Sequence, residues 1–164
     1  MSNEIISGHR VSVDVEQVNR LLTQLNDKDA KKAIKSAIRK SALIIRKEAQ
    51  NRLVSLIPNA NKSVTKKGTT YKPLKNDINL AIYRDAGGAR IDLLNKRKKG
   101  ARAYVLRFIE LGTVERATKK GANRGTMKAY NFFSDAVNAK KKEAEDALQQ
   151  NILDSINKVI NKNK

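Results

Sequence analysis

The hydrophobic positions of the chain change period several times, and each change marks an element. Val11, Val13 and Val15 alternate with Ser12, Asp14 and Glu16, the period-2 signature of a half-buried strand. Val18, Leu21, Leu22 and Leu25 then take helical spacing, with Asp14 and Gln17 placed as an N-cap and its capping-box partner. After a polar break at 26–29, Ala30, Ala33, Ile34, Ala37, Ile38, Ile44, Ile45 and Leu56 recur at three- and four-residue steps. They predict one face of a long helix. Asp27 or Asp29 can cap its start, and Pro58 ends it by disfavouring helix in the residue before it. Lys28, Lys32, Lys35, Arg39 and Arg46 form a stripe on the opposite face. Solvation alone accounts for such a stripe, and a partner-binding face is the alternative.

Residues 58–75 are Asn, Ser, Thr, Gly and Lys with almost no large apolar side chain, which predicts a long basic loop. Ile78, Leu80 and Ile82, the turn Asp85-Ala86-Gly87-Gly88, and Ala89, Ile91 and Leu93 predict a β-hairpin. A charged loop, Lys96-Arg97-Lys98-Lys99-Gly100, follows. Ala101, Tyr104, Val105, Phe108 and Ile109 then read as the buried face of a short helix, with Gly112 where a terminating glycine belongs. So apolar a run is also compatible with a strand. Residues 116–128 are a second long basic loop. Phe132, Phe133, Ala136, Val137, Ala144, Ala147, Leu148, Ile152, Ile156, Val159 and Ile160 trace one face of a long C-terminal helix. Asp135 near its start and Lys158, Lys162 and Lys164 near its end suit the helix dipole. The prediction is an α+β fold: a small, mostly antiparallel sheet with one long helix in the N-terminal half and another at the C-terminus. The two helices are too long for so small a sheet to cover. Their remaining apolar faces are expected to pack on each other or on neighbouring subunits.

Composition narrows the classes. The chain has 164 residues, 35 Lys plus Arg against 16 Asp plus Glu, and a formal net charge of +19. The length suits a single domain spanning residues 1–164, with 1–10 expected to be flexible. No stretch approaches the roughly 20 apolar residues of a membrane span, so no membrane partner is expected. Residues 1–10 carry no apolar signal segment. Absence of cysteine excludes a disulfide framework, a thiolate nucleophile and a cysteine zinc site. So strong a positive charge fits either a solvated surface or contact with a polyanion.

Candidate chemistry is sparse. His9 is the single histidine and precedes the first expected strand. No His, Asp and Glu set has metal-ligand spacing, and no Ser–His–acid set is available beyond that imidazole. Gly87-Gly88 precedes a strand rather than a helix, and Gly121-Ala-Asn-Arg-Gly125 lacks the ending of a phosphate-binding loop. Glu110, flanked by Phe108, Ile109 and Leu111, is the acid that its neighbours would desolvate. A buried carboxylate needs partners, and backbone N–H groups, Arg107 or Arg116 are the candidates. A structural role is expected, with no catalytic residue and no cofactor. Five of the seven aromatics, Tyr104, Phe108, Tyr130, Phe132 and Phe133, fall in core-like settings. Only Tyr71 and Tyr83 are left to stack on bases, so base-specific recognition is unsupported.

The order of these parts carries a resemblance. A short strand and helix lead to a long basic helix closed by Pro58, a polar loop, and a Leu74-x-x-x-Ile78 strand. Then come Tyr104-Val-Leu-Arg-Phe-Ile-Glu-Leu-Gly-Thr113, a basic loop, and Met127-Lys-Ala-Tyr-Asn-Phe-Phe-Ser-Asp-Ala136 before the terminal helix. Over residues 11–160 this resembles the head–tail joining, or tail-completion, family of long-tailed bacteriophages and their prophages. That family shows an aromatic, then Phe/Tyr-Val/Ile-Glu-Phe/Leu-Gly-Thr, then Arg-Pro-Phe and an Ala four residues after the Phe. Tyr104, Phe108, Glu110, Gly112, Thr113, Phe132 and Ala136 carry the match. Ala129-Tyr130-Asn131 stands where the family has a proline, and Lys72-Pro73 where it has Thr-Gly. The resemblance implies a structural virion protein that forms an oligomeric ring at the head–tail junction with other neck and tail proteins, after assembly in the host cytoplasm. Lys66, Lys67, Lys96, Arg97, Lys98, Lys99, Lys119, Lys120 and Arg124 would then meet acidic protein surfaces or make non-specific contacts with DNA. The alternative is a small basic nucleic-acid-binding protein.

Overall fold

The computed structural model describes residues 27–86, 88–93, 102–119 and 121–162. The expected strand at 11–15, the helix ending near Leu25, His9, Gly87, the cations Lys96, Arg97, Lys98, Lys99 and Lys120, and Lys164 lie outside the described residues.

The order is helix α1 (Asp27–Leu56), a 3₁₀ turn (Pro58–Asn61), strands β1 (Val64–Lys66) and β2 (Thr69–Tyr71), and a second 3₁₀ turn (Leu74–Asp77). Strands β3 (Asn79–Ile82) and β4 (Ala89–Asp92) follow, then helices α2 (Ala103–Leu111) and α3 (Phe132–Lys162). The fold is α+β, with both long helices where the periodicity places them. The β structure divides into two antiparallel hairpins, β1–β2 and β3–β4, rather than one sheet.

The two long helices pack on each other along their length and run antiparallel. Ala33 and Ala37, near the start of α1, are buried with Ile152 and Ile156, near the end of α3. Ala49 and Leu53, near the end of α1, are buried with Phe132 and Ala136 at the start of α3. Small side chains at 33, 37 and 49 let the two backbones approach closely. Between the two clusters Asn151 Nδ2 donates to Ser41 Oγ at 3.2 Å. Leu74, Ile78, Leu93, Leu106 and Ile109 join the cluster around Leu53 and Phe132, so both the β3–β4 hairpin and α2 dock at that end.

Several expectations are corrected here. Residues 58–75 are not a plain loop. Pro58 opens a 3₁₀ turn, and β1 pairs with β2 in the register Lys66↔Thr69, Thr65↔Thr70 and Val64↔Tyr71. Lys67 and Gly68 both take positive φ, 49° and 71°, the two-residue turn that matches strand twist. β1 is exposed at every position, so no buried face announces it. The Leu74–Ile78 strand is instead a 3₁₀ turn. Gln50 Nε2 donates to the Lys75 carbonyl at 3.1 Å and Arg46 Nε to the Ile78 carbonyl at 2.9 Å, tying the turn to α1. Arg46 therefore leaves the solvated stripe and acts as a brace. Leu56, placed on the core face by spacing, is exposed at the end of α1.

Candidate functional site

Helix α2 is apolar almost all round, so its periodicity cannot choose which side faces the core. The structure buries Ala103, Leu106, Ile109 and Glu110, a face rotated from the expected one. The reason is Glu110. Its carboxylate reaches the first turn of α3, where Oε2 accepts from Phe133 N–H at 2.8 Å and Oε1 accepts from Ser134 N–H at 3.0 Å. Oε1 also accepts from the Ser134 hydroxyl at 2.6 Å. The partners are thus the orphan N–H donors of a helix start, and neither Arg107 nor Arg116. A negative charge there also meets the favourable end of the α3 dipole. Three charge-assisted bonds offset the cost of burying the carboxylate.

The backbone completes a clasp around this side chain. The last carbonyls of α2, at Ile109 and Glu110, accept from Tyr130 N–H at 3.0 Å and Asn131 N–H at 3.2 Å. Gly112 turns the chain with φ 69°. A Cβ placed there would lie 2.6 Å from the Met127 carbonyl oxygen and 2.8 Å from the Ala129 nitrogen, so no other residue fits without moving backbone. Thr113 N–H donates to the Met127 carbonyl at 2.9 Å, and Met127 N–H donates to Thr113 Oγ1 at 3.0 Å. Phe132 and Ala136 bury beneath the clasp in the core around Leu53. Glu110, Gly112, Thr113, Phe132 and Ala136 are therefore brought together as one construction that joins α2 to α3.

Rotation of α2 has a second result. Tyr104 (57% exposed), Phe108 (39%), Leu111 (63%) and Val114 (82%) face outward, where spacing placed Tyr104 and Phe108 in the core. Tyr130 is exposed as well, and of the five aromatics expected in the core only Phe132 is fully buried. Tyr104 and Phe108 meet edge to face with ring centroids 6.1 Å apart. The Arg116 guanidinium lies 5.7 Å from the Phe108 ring centroid, within cation–π range. Arg107 is exposed on the same helix. The result is an apolar stripe with a cationic rim.

The described cations of the expected contact set are not gathered into one patch by any bonded network. Lys66 and Lys67 are exposed at the β1–β2 turn, and Lys119 and Arg124 are exposed on the 114–128 loop. That loop is closed by backbone bonds: Arg124 N–H donates to the Arg116 carbonyl at 2.6 Å and Thr118 N–H to the Ala122 carbonyl at 2.8 Å. Asn123 Nδ2 also donates to Glu115 Oε1 at 2.6 Å.

Arg102 is a positioning residue that spacing did not single out. Its N–H donates to Asp77 Oδ2 at 2.8 Å, an Nη donates to the Lys72 carbonyl at 2.9 Å, and the guanidinium lies over the Tyr71 ring at 5.4 Å. It links the entry of α2 to the region around the second 3₁₀ turn. A lone Arg before a helix carries no sequence signal for such a role.

Among the described residues no group of three or more His, Cys, Asp or Glu side chains could hold a metal ion, and no helix is long and apolar enough to cross a membrane. Comparison with family models, with curated proteins and with solved structures found no match.

Proposed function

We propose that this protein is a structural component of a long-tailed bacteriophage or prophage virion, a neck or tail-completion protein that assembles as an oligomeric ring at the head–tail junction. The observation that carries this reading is the outward stripe Tyr104, Phe108 and Leu111 on α2, with Val114 exposed just beyond the helix end. Contiguous apolar surface of this kind marks a site of protein contact, and its cationic rim, Arg107 and Arg116, suits an acidic neighbour. The Glu110 clasp holds the stripe on a rigid mount. On this reading the motif residues position a docking surface, and the protein works without catalysis or cofactor.

The test is mass photometry of the protein mixed with the portal or tail-tube protein encoded beside it. A discrete complex of the ring with its partner is expected, and Phe108→Ser with Leu111→Ser should abolish capture of the partner while the far-UV circular dichroism is unchanged. Failure of the wild type to form any complex with either partner would overturn the proposal. A second reading, a small basic nucleic-acid-binding protein, is favoured by Lys28, Lys32, Lys35 and Arg39 along the outer face of α1. Salt-dependent, sub-micromolar binding of DNA by the free protein would support it.

A further inference from the structure

The charges of the two long helices are segregated, although the chain as a whole is strongly basic. From residue 30 to residue 47, α1 contains no acid. From residue 143 to residue 157, α3 contains no Lys or Arg. Within these stretches, and at Lys28 just before the first, part of the charge is aligned in two stripes, with Lys31, Lys40, Lys47 and Glu145 outside them. Lys28, Lys32, Lys35 and Arg39 lie along α1 at steps of four, three and four, and the acids Glu143, Asp146 and Asp154, with the neutral Gln150 between the last two, lie along α3 at steps of three, four and four. Both sets occupy one helix face, and all eight are exposed except Lys35, which is half-buried.

Each stripe faces away from the seam between the helices. On α1 the seam is made by Ala33 and Ala37, and on α3 by Ile152 and Ile156; at 100° per residue the charged positions fall on the opposite side of each helix. The basic and acidic stripes therefore lie on opposite outer surfaces of the same helix pair, and the two cannot meet within one molecule. Both span eleven residue steps, about 16 Å at 1.5 Å per residue. Lys140 pairs with Glu143 and offsets its charge, and Gln150 donates to Asp154 at 2.8 Å, so the acidic character of the stripe is concentrated at Asp146 and Asp154.

We infer that the outer face of α1 in one copy docks on the outer face of α3 in a second copy. The occupant follows from charge: the acidic stripe, the largest base-free stretch among the described helices, matches the basic stripe in length and is opposite in sign. Because the two surfaces differ, the contact is heterologous, and repeating it gives a closed ring or an open filament. The inference rests on the ring assembly proposed above and names the contact that would build it. The apolar stripe on α2 stays free for other neck and tail proteins.

The experiment is sedimentation velocity in low salt, about 0.02 M, where the screening length is roughly 20 Å, and again at about 0.5 M. Two variants are compared with the wild type: Lys28→Glu, Lys32→Glu and Lys35→Glu together, which turns the α1 stripe acidic like that of α3, and Asp146→Lys with Asp154→Lys, which turns the α3 stripe basic like that of α1. Wild type should self-associate in low salt and dissociate at high salt. Each variant alone should associate about tenfold more weakly or worse, at an unchanged thermal midpoint. An equimolar mixture should regain association, because unlike stripes then alternate. A wild type that stays monomeric in low salt, or a mixture that fails to recover, would overturn the contact. So would a variant pair that still assembles, and in that case the ring reading survives through another face. Loss of DNA binding by the acidic variant with self-association intact would also overturn it, and would assign the α1 stripe to nucleic acid.

Discussion

The two ends of the α1–α3 pair are built differently from the same two helices. At one end Leu53, Phe132 and Ala136 sit in a core shared with α2, the second 3₁₀ turn and the residues flanking the β3–β4 hairpin, and long-range polar bonds from Arg46, Gln50 and Glu110 cross between elements. At the other end Ala33 and Ala37 meet Ile152 and Ile156, and the described partners are these two helices alone. The first end joins residues far apart in sequence and is expected to unfold as one unit with the domain. Among the described residues the second has fewer apolar neighbours to lose, and it is expected at the low end of local stability. One helix can thus be anchor along half its length and adaptable surface along the other half.

Four experiments break or sharpen that contrast, from the largest expected effect to the smallest. Phe132→Ala empties a site that is almost completely buried and should cost about 3–5 kcal/mol in denaturant unfolding. Glu110→Ala leaves the Phe133 and Ser134 N–H groups without their acceptor and should cost about 2–3 kcal/mol. Glu110→Gln, which keeps one acceptor oxygen, should cost less. Ile156→Ala should cost about 2 kcal/mol, the lower end for such a truncation. Hydrogen exchange should place its effect in the first half of α1 and the last half of α3, with the amides around Leu53 and Phe132 unchanged. Equal acceleration at both ends would show one cooperative unit and remove the contrast.

The smallest effect is at Lys140, whose pKa is raised above 10.5 by its hydrogen bond to Glu143 and by the charge of that carboxylate. A raised pKa contributes stability that is present below the unfolded value and lost as pH rises through the folded one. The pair is exposed, so solvent screening leaves it little weight. Lys140→Met should leave the thermal midpoint at pH 7 unchanged within error.

What could be read from the sequence depended on whether an element buries one clear face. Both long helices could be placed from spacing, because Ala33, Ala37, Ile152 and Ile156 repeat on a seam that stays dry. The β3–β4 hairpin was legible from alternation, with the register Leu80↔Ile91. β1–β2 was not, because every side chain of β1 is exposed and none of β2 is fully buried, and its turn, Lys67-Gly68, lacks the usual Asn-Gly or Asp-Gly pair. The rotation of α2 was hidden for the opposite reason: apolar residues surround it, and a single buried carboxylate reaching another helix decides its orientation. Glu110 itself stood out as an acid in apolar company. Its partners, two backbone N–H groups twenty-three and twenty-four residues away, leave no mark in composition or spacing.

The pair of bonds between Thr113 and Met127 separates two kinds of inheritance. Below them the geometry is tightly constrained, since even a methyl at Gly112 meets backbone. Beyond them the loop is braced by the Arg116–Arg124 and Thr118–Ala122 bonds, so its length is free only at the tip, where doubling a loop costs about 0.6 kcal/mol in closure entropy. Residues inserted between Lys119 and Gly121, inside the Thr118–Ala122 bond, should therefore leave the melting temperature nearly unchanged. The loop tip is a place where residues can be exchanged while the fold beneath it stays as it is.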